Sequence, residues 1–192
     1  MNESLTTHAI TLRSIPLQDP KRIVTLFSAD LGLINVVAST SKGKNRPLCE
    51  PFCQAEVVLL PKKKELFLLQ DSSLINLHLP LREKLSYLNT ASSMVKAILS
   101  SQLPEKPAPA LYQLLAKSLE AIPAFPSLNT LLACFYLKLL LHEGLYNPNL
   151  SDHNPLFSKI AQEKKIASLK EMSCSQEELI ELEHLFASSI RT

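Results

Sequence analysis

Along the first eighty residues the apolar positions come in short β-branched runs, and beyond Pro80 they recur at helical spacing. HAITLRSI (8–15) and RIVTLFSA (22–29) read as strands, separated by PLQDPK, a turn-rich piece with two prolines. In the second run Ile23, Thr25 and Phe27 face one way and Val24, Leu26 and Ser28 the other, so both faces are largely apolar. ADLG follows as a turn, with Gly32 free to take a positive φ. LINVVAST (33–40), FCQAEVVLLP (52–61) and ELFLLQDSSLINLHL (65–79) supply three more strands. Five strands with no helical period between them predict a small closed or half-closed β-barrel.

LREKLSYLNTASSMVKAILSSQL (81–103) places Leu81, Leu85, Leu88, Val95 and Leu99 on a helical stripe, and LPEKPAP stops it with three prolines. ALYQLLAKSLEAI (110–122) is a second helix, ended by Pro123 and Pro126. SLNTLLACFYLKLLLHEG (127–144) is apolar nearly all round, which predicts a central position; Gly144 fits its C-cap and Pro148 lies just beyond. In SQEELIELEHLFASSI (175–190) Ser175 and Glu178 have capping-box spacing, and Leu179, Leu182, Leu185 and Phe186 form a stripe that seals the helical domain or fills a partner's groove. The expected class is α+β in two parts: a barrel over residues 1–79 and an all-α domain over 80–192.

Composition adds little until it is resolved along the chain. The 192 residues are 46% hydrophobic and 20% charged, with a net charge of +2, which is ordinary for a globular protein. From Pro80 onward the charges balance, whereas Lys42, Lys44, Arg46 and Lys62–Lys64 face only Glu50 and Glu56 between positions 42 and 64. MNESLTTHAI has neither a basic nor an apolar signal region, and no apolar run approaches the ~20 residues of a membrane span. A cytoplasmic protein with no membrane contact, its four cysteines reduced, is the expectation.

Catalytic chemistry finds no foothold. Gly32, Gly43 and Gly144 are too far apart for a dinucleotide or phosphate-binding loop. Cys49 and Cys53 have no second close Cys or His pair to complete a zinc site, and Cys134 sits in an apolar helix. His8, His78, His142 and His153 are scattered among strand ends, a helix end and a polar loop. The chain is read as non-enzymatic, with no cofactor and no metal.

What remains is STSKGKNRPLCEPF (39–52), a polar basic loop between the third and fourth strands with Gly43 as its hinge. Two readings fit it. Lys42, Lys44 and Arg46, extended by Lys62, Lys63 and Lys64 in the next turn, form a track for a phosphate backbone, as in barrels of the OB type. Alternatively they are solvated loop residues. Stacking platforms are sparse, because Phe27, Phe52 and Phe67 are the only aromatics among the first eighty residues and all three suit a core.

The stretch from Ala9 through IVTLF, the acidic-glycine turn and the basic loop to Phe52 resembles the opening of the bacterial recombination and repair mediator family RecO. FYLKLLLHEGLYNP (135–148) resembles that family's central helix. The resemblance implies an N-terminal OB-fold, a helical C-terminal domain, binding of single- and double-stranded DNA, annealing of complementary strands and nucleoid association. It further implies loading of RecA with RecR and in one pathway RecF, and capture of the acidic, apolar tail of single-strand-binding protein. Carried over by position, the DNA-facing role falls on Arg13, Lys42, Lys44 and Arg46, with Lys21, Arg22 and Lys62–Lys64 as further members. Lys138, or Lys159, Lys164 and Lys165, is the expected basic element for the tail. Many relatives carry a four-cysteine zinc module after the glycine–proline helix end; this chain offers only Cys174 there, and it stops earlier than the family pattern leads one to expect. A protein-interaction adaptor of the same fold, with little DNA binding of its own, is the competing expectation.

Overall fold

The computed structural model describes residues 4–41, 45–62, 66–149, 154–163 and 165–190, which divide into two compact units. Met1–Leu79 and Gln102–Ala116 form the first; Pro80–Ser101 and Lys117–Thr192 form the second.

Five strands make the first unit: β1 (Leu5–Gln18), β2 (Lys21–Ser28), β3 (Gly32–Ser39), β4 (Gln54–Lys62) and β5 (Leu66–Asn76). They close in the order β1-β2-β3-β5-β4, with β3 and β5 parallel and the other pairs antiparallel. This is the five-stranded OB barrel that the sequence predicts. Val24 and Leu26 of β2, Ile34, Val36 and Ala38 of β3, and Ala55, Val57 and Leu59 of β4 alternate into a common core. The loop after β3 plugs it: a 3₁₀ turn at Pro47–Cys49 buries Leu48, whose carbonyl accepts from Thr11 Oγ1 at 2.6 Å.

The second apolar face of β2 has its own explanation. Phe27 is fully buried, with the Tyr112 ring 6.5 Å away, and Gln54 Nε2 donates to the Tyr112 hydroxyl at 3.0 Å. Residues 102–116 thus cover part of the barrel's outside. Gly32, at φ +70°, lets them approach, because a Cβ there would collide with the Lys106 carbonyl oxygen.

The second unit is built round α3 (Leu128–His142), buried at every position from Thr130 to Leu137. It is contacted by α1 (Leu85–Ser101), α4 (Pro155–Gln162) and α5 (Gln176–Ile190). A further helix, α2 (Pro109–Ala121), contributes to the first unit up to Ala116 and to the second from Lys117. Gly144, at φ +72°, ends α3: Leu145 N–H reaches the Leu140 carbonyl and Gly144 N–H the Leu141 carbonyl, a Schellman closure. The capping box of α5 forms reciprocally, with Ser175 N–H to Glu178 Oε2 at 2.8 Å and Glu178 N–H to Ser175 Oγ at 3.1 Å. The Ser175 backbone N–H first, then the Ser175 hydroxyl and the Asn154 amide, hold the Glu178 carboxyl below its usual range.

Two helical expectations need correction. The first helix begins at Leu85, after a 3₁₀ turn at Leu79–Arg82, and Leu85 is 73% exposed rather than on the buried stripe. That stripe is made by Thr90, Ala91, Met94, Val95, Ala97 and Ile98. Helix α4 has no counterpart among the helices that the periodicity predicts; Asn154 caps it by accepting from Leu156 N–H at 2.9 Å, with Pro155 at the first helical position. Between α3 and α5, Phe157, Ile160, Leu169 and Cys174 are buried, and no group of three His, Cys, Asp or Glu is near enough to hold a metal among the described residues. No described helix is long and apolar enough to cross a membrane.

Candidate nucleic-acid interface

Strands β1, β2 and β3 contain no Asp or Glu, while Arg13, Lys21 and Arg22 all lie on them. The two carboxylates of the sheet, Glu56 and Asp71, are on β4 and β5. The strands of that half carry no carboxylate, and its acids lie in the turns at their ends: Asp19 between β1 and β2, and Asp30 between β2 and β3, where its Oδ2 accepts from Thr7 Oγ1 at 2.7 Å.

The placement of Arg13 depends on a β-bulge. Thr11 pairs with Leu26, both buried on the inner side, and simple alternation would point Arg13 inward as well. The register slips between Thr11 and Arg13, so Arg13 pairs with Thr25 and lies on the outer face, exposed. Its Nε donates to Thr25 Oγ1 at 3.3 Å, and Thr25 Oγ1 donates to Asn35 Oδ1 at 2.9 Å. Thr25 and Asn35 are themselves register partners, so the three residues form one row across β1, β2 and β3.

Lys21 shares this outer face at the end of β2, opposite Ser39. Between Lys21 and Arg13 lies an aliphatic shelf of Ile15, 48% exposed, and half-buried Ile23, with Leu17, 51% exposed, beyond. Arg22 alternates to the other side at the barrel end, where its Nε donates to Ser14 Oγ at 2.7 Å and its Nη2 to the Ser14 carbonyl at 3.3 Å. Cys49 lies near it: burial raises the thiol pKa, and the Arg22 charge works against that rise.

Arg46 is exposed immediately before the 3₁₀ plug. Lys42, Gly43, Lys44, Lys63 and Lys64 lie outside the described residues, as does the side chain of Lys62, which closes β4. The described flanks of the basic loop border a cleft of about 700 Å³, where the β3–β5 pairing stops after Val37 and Leu68. Ser39, Ser41 and Asn45 line one side and Leu69, Gln70 and Asp71 the other.

No aromatic ring serves as a platform on this face. Phe27 and Phe52 are buried, and Phe67 packs against the core. The sequence missed Thr25 and Asn35, whose role depends on cross-strand register rather than on any local motif. In the helical unit, Lys138 is engaged by the Ala161 carbonyl, while Lys159 and Lys165 are exposed and Lys164 lies outside the described residues.

Residues 1–78 match the family model described as Recombination protein O N terminal. The chain is 31% identical over 133 residues to a DNA repair protein RecO of Synechococcus elongatus, covering 68% of this chain and 50% of that one. It is 29% identical over 150 residues to a DNA repair protein RecO of Chlamydia trachomatis, covering 73% and 58%. A protein of the same name from Geobacter metallireducens is 32% identical over 124 residues, covering 62% and 50%. The chain spans about half the length of the curated relatives it matches. With an OB barrel of matching extent at its start, the chain belongs to the RecO family.

Proposed function

We propose that this chain acts without catalysis in DNA repair and recombination, binding single- and double-stranded DNA and annealing complementary strands. It helps load RecA together with RecR and RecF. The observation that carries this reading is the acid-free wall of β1, β2 and β3, with Arg13 and Lys21 on one outward face and Arg22 at the barrel end. A cationic surface whose strands carry no carboxylate lowers phosphate repulsion between two DNA strands, which is the electrostatic requirement for annealing. The positive charges of Lys42, Lys44, Arg46 and Lys62–Lys64, which follow β3 and close β4 in sequence, add to the attraction for phosphate. Because the aromatics are buried, affinity rests on phosphate contacts and is sequence-neutral. The helical unit recruits protein partners, among them the tail of single-strand-binding protein.

The test is fluorescence anisotropy of a labelled single-stranded oligonucleotide at several salt concentrations, with wild type and a Lys42/Lys44/Arg46→Ala variant. Binding should fall linearly in log–log terms as salt rises. The variant should lower the slope by up to about 2, at about 0.7 for each phosphate charge it no longer neutralises. No binding by wild type at low salt would remove the reading.

One observation favours the adaptor as a second reading. Ile15 is half exposed on the same outward face, and Leu17, at the second register slip of β1, is half exposed near it, a combination suited to protein docking. In that case the triple variant keeps its affinity for a single-strand-binding-protein tail peptide, and wild type binds DNA weakly or not at all.

A further inference from the structure

The row Arg13–Thr25–Asn35 has a direction. Arginine has donors and no acceptor, so Arg13 Nε–H can only give its bond to the Thr25 hydroxyl. The Thr25 proton must then go elsewhere, and its partner is Asn35 Oδ1. That bond fixes the Asn35 amide with its oxygen toward Thr25 and its NH₂ group turned away from it. Thr25 itself is buried, whereas Arg13 and Asn35 are exposed. The two exposed ends of the row therefore present N–H donors, the Nη groups of Arg13 and the Nδ2 of Asn35. The strands that carry them, β1 and β3, stand about 10 Å apart, two strand spacings.

We propose that this row is a phosphate anchor for the bound strand, with Arg13 and Asn35 as contact residues and Thr25 as the positioning residue that orients both. The proposal rests on the DNA-binding reading given above. An array of outward donors on an acid-free wall suits anionic oxygens, and the relay polarises it further, since each bond strengthens the next. Neighbouring Ile15 and Ile23 offer the strand an apolar shelf instead of a stacking ring.

The test is oligonucleotide anisotropy with the full chain, comparing wild type, Arg13→Ala, Thr25→Val, Thr25→Ser and Asn35→Asp, each checked for folding by its melting curve. Arg13→Ala is expected to weaken binding and lower the salt slope by about 0.7. Thr25→Val keeps the shape and removes the hydroxyl; about three- to tenfold weaker binding is expected, with no further loss when combined with Arg13→Ala. Thr25→Ser restores the relay and should bind as wild type. Asn35→Asp keeps the acceptor for Thr25 but turns an anion outward, so it should weaken binding more than Thr25→Val does. Wild-type affinity in Thr25→Val, alongside a weakened Arg13→Ala, would overturn the relay and leave DNA binding by the barrel intact. Should Thr25→Val fail to fold, Asn35→Asp decides alone, and wild-type affinity there overturns the anchor. Loss of binding in wild type itself would overturn the underlying reading and the anchor with it.

Discussion

Lys138 Nζ, on α3, donates to the carbonyl oxygen of Ala161 at 2.6 Å. Ala161 lies in the last turn of α4, where carbonyls have no partner within the helix and a cation complements the dipole. A residue expected to meet a partner's acidic tail is thus engaged in closing a helix of its own unit. Lys138→Met, which keeps the apolar stem and loses the charge, should destabilise the helical unit by about 1–2 kcal/mol. Denaturant unfolding reads the loss, and oligonucleotide affinity should not change.

The positive-φ glycines should not behave alike. Gly144 has open space where a Cβ would stand, so Gly144→Ala should cost only the left-handed backbone penalty, about 1–2 kcal/mol. At Gly32 the same penalty is joined by collision with the Lys106 carbonyl, and the total should exceed about 3 kcal/mol. Melting curves of the two variants settle the order; equal costs would mean that residues 102–116 do not lie against Gly32.

Thr130 is fully buried, and its hydroxyl takes the Cys174 N–H at 2.9 Å while lying 3.2 Å from the Met172 carbonyl and 2.9 Å from Ser127 Oγ. One side chain so pins the extended segment before α5 against α3. Thr130→Val preserves volume but leaves a buried N–H without its acceptor, an expected loss of about 1–3 kcal/mol. Cys174 should then react faster with a thiol reagent than in wild type, a readout that a uniform loss of stability in the barrel would not produce.

How much of this was legible in sequence follows from the range of the interactions. The strands could be read because β2 alternates Val24 and Leu26 against Ile23 and Phe27, a local pattern. The Ser175–Glu178 box and the Gly144 closure could be read because both are fixed within a few residues. Arg13 could be named from the resemblance, but its outward direction could not be derived, since one extra residue at the bulge reverses the positions from Arg13 to Pro16, up to the second register slip on β1. Helix α4 was missed because eight residues give a 3.6 period little room to show, although Asn154–Pro155 was a usable start signal. That Lys106 meets Gly32 depends on residues more than seventy positions apart, which no window contains.

Stability at alkaline pH is governed by buried acids of the helical unit. Burial pushes the Cys134 thiol up to about 11, against the opposing charge of Lys138, and pushes Cys174 to about 11 with Glu178 adding to the rise. Tyr136, against the Phe186 ring, is raised to about 12, chiefly by burial and then by the charge of Glu183. In each case the folded state holds the neutral form while the unfolded chain ionises in the ordinary range, near pH 8.5 for Cys and 10 for Tyr. Folding therefore binds protons, and stability declines as pH rises above about 8.5 until the folded groups ionise as well. The denaturation midpoint should be flat from pH 7 to 8 and fall between about pH 9 and 11. Cys134→Ala should make that fall shallower. A midpoint unchanged to pH 10.5 would mean that these thiols are open to water in the folded chain. The packing of α3 at Cys134 would then have to be looser than its 3% exposure implies.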